Sequence, residues 1–203
     1  MVANHSPIAC IGLRAKTARA IVVAIAGSGD SPRAVTRAEV KLDTNGKREL
    51  YQPFHEVMLL PWDEAVLAVR NAERAIETIA THRLESLVRE LRNRGFEVGS
   101  VAIVGAPERN LKGIGSPHIR AHAAEGVLFR HVWQVAARAI GAQAEAFPEK
   151  DIETLAAARL RLSAQALRAR LAEFGETLGR PWRADEKAAA MAAWVALSER
   201  NAV

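Results

Sequence analysis

The sequence predicts an α/β protein: a mixed five-stranded sheet, three antiparallel strands then parallel strands, flanked by helices. Three observations predict it. Two β-branched apolar runs, 8–13 and 20–26, flank a short polar stretch and read as a hairpin. The run Ala34-Val-Thr-Arg-Ala-Glu-Val-Lys-Leu42 alternates apolar and polar, as a half-exposed antiparallel strand does. Two further apolar runs, 98–105 and 142–147, are separated by helical stripes, the pattern that right-handed crossovers lay onto a sheet.

The elements follow in order. After the third strand, Asp43-Thr-Asn45-Gly46 carries hairpin turn chemistry. Arg48 to Tyr51 then reads as a short partner strand, and Glu56 to Leu60 as another extended piece. Pro61-Trp-Asp-Glu64 opens a helix, since proline and acids suit a first turn with free amides. Val66, Val69, Ala72, Ile76, Ile79, Leu84, Leu87 and Leu91 continue it at helical spacing, with a slip near Thr81 and a stop at Gly95. Val98 to Gly105 is a buried parallel strand. Ser116-Pro117 caps a helix over 117–140, with Ile119, Ala123, Val127, Phe129 or Arg130, Val132 and Val135 on its stripe and Gly141 at its end. Ala142 to Phe147 is the last strand. Helices over 149–161 and 163–178 meet at Ser163, and Gly179-Arg-Pro181 separates them from a final helix over 184–199.

At 203 residues, 49% hydrophobic and 25% charged, the chain fits one domain, 1–203, with a sizeable core. No apolar run reaches the roughly 20 residues needed to cross a bilayer, and the first residues lack the pattern of a signal peptide. One cysteine, Cys10, sits in an apolar strand; with no partner for a disulfide, a cytoplasmic location is the default expectation. Lys and Arg outnumber Asp and Glu by 28 to 23, a net charge of +5 compatible with DNA or RNA as partner. The alanine-rich last helices would allow a homodimer contact. No membrane partner is expected.

Three stretches carry a family likeness. They are Ile11-Gly-Leu-Arg-Ala-Lys-Thr, then Ala124-Glu-Gly126-Val-Leu-Phe-Arg-His-Val-Trp-Gln-Val-Ala, then Asp185-Glu-Lys-Ala-Ala-Ala-Met-Ala-Ala-Trp194. In this order they resemble the first strand, the central helix and the last helix of the ribonuclease H-like superfamily, in its Holliday-junction resolvase (RuvC) branch. The resemblance implies a site where carboxylates from the first strand, the fourth strand and the last helix hold two magnesium ions. Carried over position by position, the first-strand acid is Arg14. The fourth-strand acid falls at Val104 or Gly105. The last helix keeps Asp185 but has Ala188 three residues on, and Glu186 lies about 100° away around the helix. The expectation is a catalytically degenerate domain, without cofactor or metal ligands, that binds nucleic acid or a protein partner. Arg14 and Asp185 should then form an ion pair. The alternative is an active magnesium-dependent nuclease of structured DNA using Glu108, Asp185 and Glu186.

Other candidates are weaker. Arg14, Lys16 and Arg19 at the first turn, with Arg109 and Lys112 after the fourth strand, could form a phosphate-binding patch at the strand ends. His118, His122 and Glu125 share a helical face at a spacing that can bind zinc. No Glu follows His118 directly, so the protease motif is absent, and the face reads as solvated. His131 reads as partly buried. Gly27-Ser-Gly29-Asp and Gly113-Ile-Gly115-Ser could cradle an anion, but match no phosphate fingerprint and read as turns.

Overall fold

A computed structural model describes residues 6–42 and 46–200. Strands β1 (Ile8–Lys16), β2 (Arg19–Gly27) and β3 (Pro32–Lys41) form an antiparallel meander. Strands β4 (Glu97–Gly105) and β5 (Gln143–Pro148) add to the other side of β1, both parallel. The sheet order is β3-β2-β1-β4-β5. This is the mixed sheet that the sequence predicts, three antiparallel strands then two parallel ones, with β1 at its centre.

Alternation along the strands assigns two faces. Ile11, Leu13, Val22, Ala24, Val101 and Ile103 look toward α3 (Trp62–Asn93) and α4 (Pro117–Ala139). Cys10, Val23, Ile25, Ala102 and Val104 look toward α5 (Ile152–Arg159), α6 (Ala164–Leu178) and α7 (Ala184–Arg200). Ala188 to Leu197 of α7 are all buried, so the alanine-rich face expected to support a dimer packs inside the chain. Its close approach needs Gly12: a Cβ there would sit 1.8 Å from the Ala189 carbonyl oxygen.

The turn expected at Asp43-Thr-Asn45 lies outside the described residues; Gly46 adopts φ +74. The segment after it differs from expectation. Arg48–Tyr51 is a helix, α1, and Pro53–Glu56 is another, α2; Val57 to Leu60 continues in turns. Neither piece pairs with edge strand β3. Leu50 and Phe54 turn onto the α3 side of the core, and the Phe54 ring stacks on Trp62. Hydrophobic burial beats a fourth antiparallel strand here.

Helix α3 runs unbroken past Thr81, whose hydroxyl donates to the Glu77 carbonyl at 2.9 Å and so stays satisfied within the helix. Its buried stripe is Ala65, Val69, Ile76, Ala80, Leu84, Leu87, Val88 and Leu91, with Pro61 at the cap rather than inside the first turn. The stripe of α4 is rotated from expectation. Ile119 is exposed, and Ala121, Ala124, Leu128, Val132, Trp133 and Ala136 face the core. His131 is exposed, a further correction. Ser116 and Ser163 act as caps, accepting from the Ile119 and Ala166 amides. No helix among the described residues is long and apolar enough to cross a membrane.

Candidate functional site

The register of α7 on β1 builds the site. Gly12 lies under Ala189; two residues on, Arg14 points to the same face, and one helical turn earlier on α7 stands Asp185. Arg14 Nε is 3.4 Å from Asp185 Oδ1, the expected ion pair. Arg14 also pairs with Glu149, just past β5, and donates to the Ala15 carbonyl at 2.7 Å. Lys16, two residues further along the same face, places Nζ 3.2 Å from Asp185. Arg14 is 5% exposed, so its charge needs these partners. Beside Arg14 in the sheet lies Val104, wholly buried. A Cβ on Gly105 would point the other way, into Arg130 of α4.

The acids named for an active nuclease do not converge. Glu186 is buried and accepts the Arg183 amide at 2.8 Å, the carboxylate arm of a capping box at the start of α7. Glu108 pairs with Arg130 at 2.8 Å, on the α4 side of the sheet. Among the described residues two groups of three metal-capable side chains exist, His55 with His118 and His122, and Glu73 with Glu77 and His131; neither includes Asp185.

The five cations named together are divided. Arg14 and Lys16 share Asp185. Arg19 pairs with Glu39 of β3 at 3.1 Å, and Lys112 with Asp63 of α3 at 2.7 Å. Arg109 is exposed and has no ion pair among the described residues. Cations that sequence spacing missed lie closer. A pocket of about 420 Å³ opens beside Arg14, lined in part by Lys150, Arg168 and Lys187. Arg168 is paired to Glu153, whereas Lys150 and Lys187 are exposed and form no ion pair among the described residues. They sit 136 and 173 residues from Arg14 in sequence, so only tertiary packing gathers them.

The remaining candidates resolve simply. Gly29 packs on Ser198, and its carbonyl accepts the Trp194 indole N–H at 2.8 Å, while Gly27 holds φ +110. The Gly27–Asp30 loop is thus fixed by packing against α7. Ser100 donates to Cys10 Sγ at 3.2 Å, and burial raises the thiol pKa, so Cys10 is a core residue. Glu125 is not on a solvated face. It is buried, and its carboxylate accepts the Phe54 and His55 amides, capping α2 from outside. Burial pushes its pKa up to about 7, against the lowering effect of those two hydrogen bonds.

No protein-family model matches the chain, and no curated protein matches it. Among solved structures it is similar to Thermus thermophilus RuvC, at 14% identity over 96% of this chain and 96% of that one, with a TM-score of 0.49. It is also similar to T. thermophilus RuvC in complex with a Holliday junction substrate, at 13% identity over 93% of this chain and 91% of that one, again with a TM-score of 0.49.

Proposed function

We propose that this chain is a ribonuclease H-like domain that binds the phosphate backbone of structured nucleic acid without two-metal cleavage. The observation that carries this reading is Arg14. A buried guanidinium stands on the central strand and, with Lys16, neutralises Asp185. Magnesium, which the sequence resemblance implies, demands hard oxygen ligands in near-octahedral geometry. Two cations, a valine and two carboxylates already paired with Arg14 do not fit it, and no hydrolytic step is assigned to the site.

Binding rests on charge. Lys150 and Lys187 are free to meet phosphates beside the Arg14 pocket, and the chain carries a net +5. Each phosphate contact releases counterions, so affinity should fall steeply with salt.

The test is fluorescence anisotropy with a labelled four-way DNA junction, with cleavage assayed in parallel in magnesium or manganese. Binding should weaken along a log–log salt slope, and Lys150→Ala and Lys187→Ala should each reduce that slope by about 1. Salt-independent or undetectable binding rejects the nucleic-acid partner. Manganese-dependent cleavage that disappears in Asp185→Asn rejects the degenerate site.

A further inference from the structure

A second polar cluster lies on the α4 side of the sheet, away from Arg14. His118 and His122 are one turn apart on α4, and His55 of α2 faces both. The His55 and His122 ring centroids are 4.5 Å apart, those of His118 and His122 4.5 Å, and those of His55 and His118 5.6 Å, all edge-on. One ligand nitrogen from each ring lies within 4.8 Å of the other two. Nδ1 of His55 is 3.4 Å from Glu125 Oε1. Its Nε2 is buried with no hydrogen-bond partner. Neither His118 nor His122 hydrogen-bonds through its ring to another described residue. Buried polar atoms in native proteins nearly always have partners, so an orphaned imidazole nitrogen on a ring packed against two more imidazoles asks for a ligand.

We propose that His55, His118 and His122 form a binding site for a divalent transition-metal ion of the zinc class, with Glu125 as the positioning residue for His55. Imidazole suits zinc, cobalt, nickel and copper, whereas magnesium prefers oxygen. Three protein nitrogens leave a fourth position open to water. The Glu125–His55 contact fits the arrangement in which a carboxylate holds one ring nitrogen and turns the other toward the ion. Tetrahedral bonds of ~2.0–2.1 Å bring ligand nitrogens to about 3.3 Å from one another, so binding would draw the rings inward. His118 and His122 are exposed and free to make that adjustment. The ion would tie α2 to α4.

The other metal-capable group, Glu73, Glu77 and His131, is the weaker one. Arg70 and Arg74 line the same surface and compete for its carboxylates.

The experiment uses the untagged full chain after dialysis against a chelator. Cobalt is titrated by its visible ligand-field absorption and then displaced by zinc, with calorimetry for stoichiometry. The expected result is one tight equivalent per chain that magnesium does not displace. His122→Ala should weaken zinc binding at least about 100-fold, and Glu125→Gln by about 10- to 100-fold. His131→Ala should leave it unchanged. Since Glu125 also caps α2, His122→Ala is the deciding variant; its ring is exposed, and circular dichroism verifies its fold. Retention of the tight equivalent in His122→Ala, its loss in His131→Ala, displacement by magnesium, or no tight equivalent in the unmodified chain would each overturn the proposal.

Discussion

The Arg14 cluster and the Glu125–His55 cluster, on opposite faces of the central sheet, treat their buried polar groups in opposite ways. On the α7 face, Arg14 is saturated: Glu149, Asp185 and the Ala15 carbonyl take its donors, and Lys16 takes what remains of Asp185. On the α4 face, Glu125 and His55 are half-satisfied, with Glu125 Oε2 and His55 Nε2 both buried and unpartnered. A saturated cluster resists a new ion, because every charge already has its complement. An open one has capacity to spare. The sequence resemblance implies a metal site on the first face; the unsatisfied atoms point to the second.

Four outcomes would break or sharpen this contrast, from the largest effect down. Gly12→Ala should be the most damaging, since a methyl cannot fit 1.8 Å from the Ala189 carbonyl oxygen. Overpacking there should cost at least about 3 kcal/mol in urea unfolding, and the separation of α7 from β1 would open the Arg14 cluster too. Next, zinc at 100 times its dissociation constant should stabilise the unmodified chain by about 2.7 kcal/mol, a rise of roughly 5–10 °C in Tm for a chain of this size, absent in His122→Ala. A double-mutant cycle of Arg14→Met and Asp185→Asn comes third. Coupling of about 1–2 kcal/mol is expected, between the values typical of exposed and of buried pairs, because Asp185 is a third exposed while Arg14 is not. Coupling near zero would mean that the pair does not hold strand to helix. Glu186→Ala should cost about 1 kcal/mol through the lost cap of α7 and leave junction binding unchanged, which separates its structural role from that of Asp185.

Much of the α7 face was legible in the sequence. Arg14 and Asp185 are 171 residues apart, yet the succession of strands and helices, together with the resemblance, predicted that they meet. That prediction worked because β1 is apolar from Ile8 to Leu13 and the alanine-rich middle of α7, Ala188 to Leu197, is buried against it, which sets Asp185 over Arg14. Glu149 and Lys150 were not foreseen as neighbours of Arg14, since a residue just past a strand end takes its position from the next strand over. The α4 face was misread for a different reason. His118, His122 and Glu125 read as a solvated face, and with Arg48 to Tyr51 and Glu56 to Leu60 read as extended, nothing placed His55 beside them. Once Phe54 is buried and α2 forms, the same spacing turns Glu125 inward and places a third ring over the other two. The cations named together are divided for a similar reason: Arg19 and Lys112 found carboxylates on β3 and α3 that sequence distance had hidden.

By itself the sequence determined the strand and helix succession outside α1 and α2, the cap positions at Ser116 and Ser163, and the presence of Arg14 on the first strand. These follow from periodicity, capping chemistry and residue identity, all of which act over a few residues. Only the tertiary structure decided which charges are neutralised and which polar atoms stay unpartnered. Ion pairing and hydrogen bonding are settled across a few ångströms in space, and packing alone chooses which distant residues come that close.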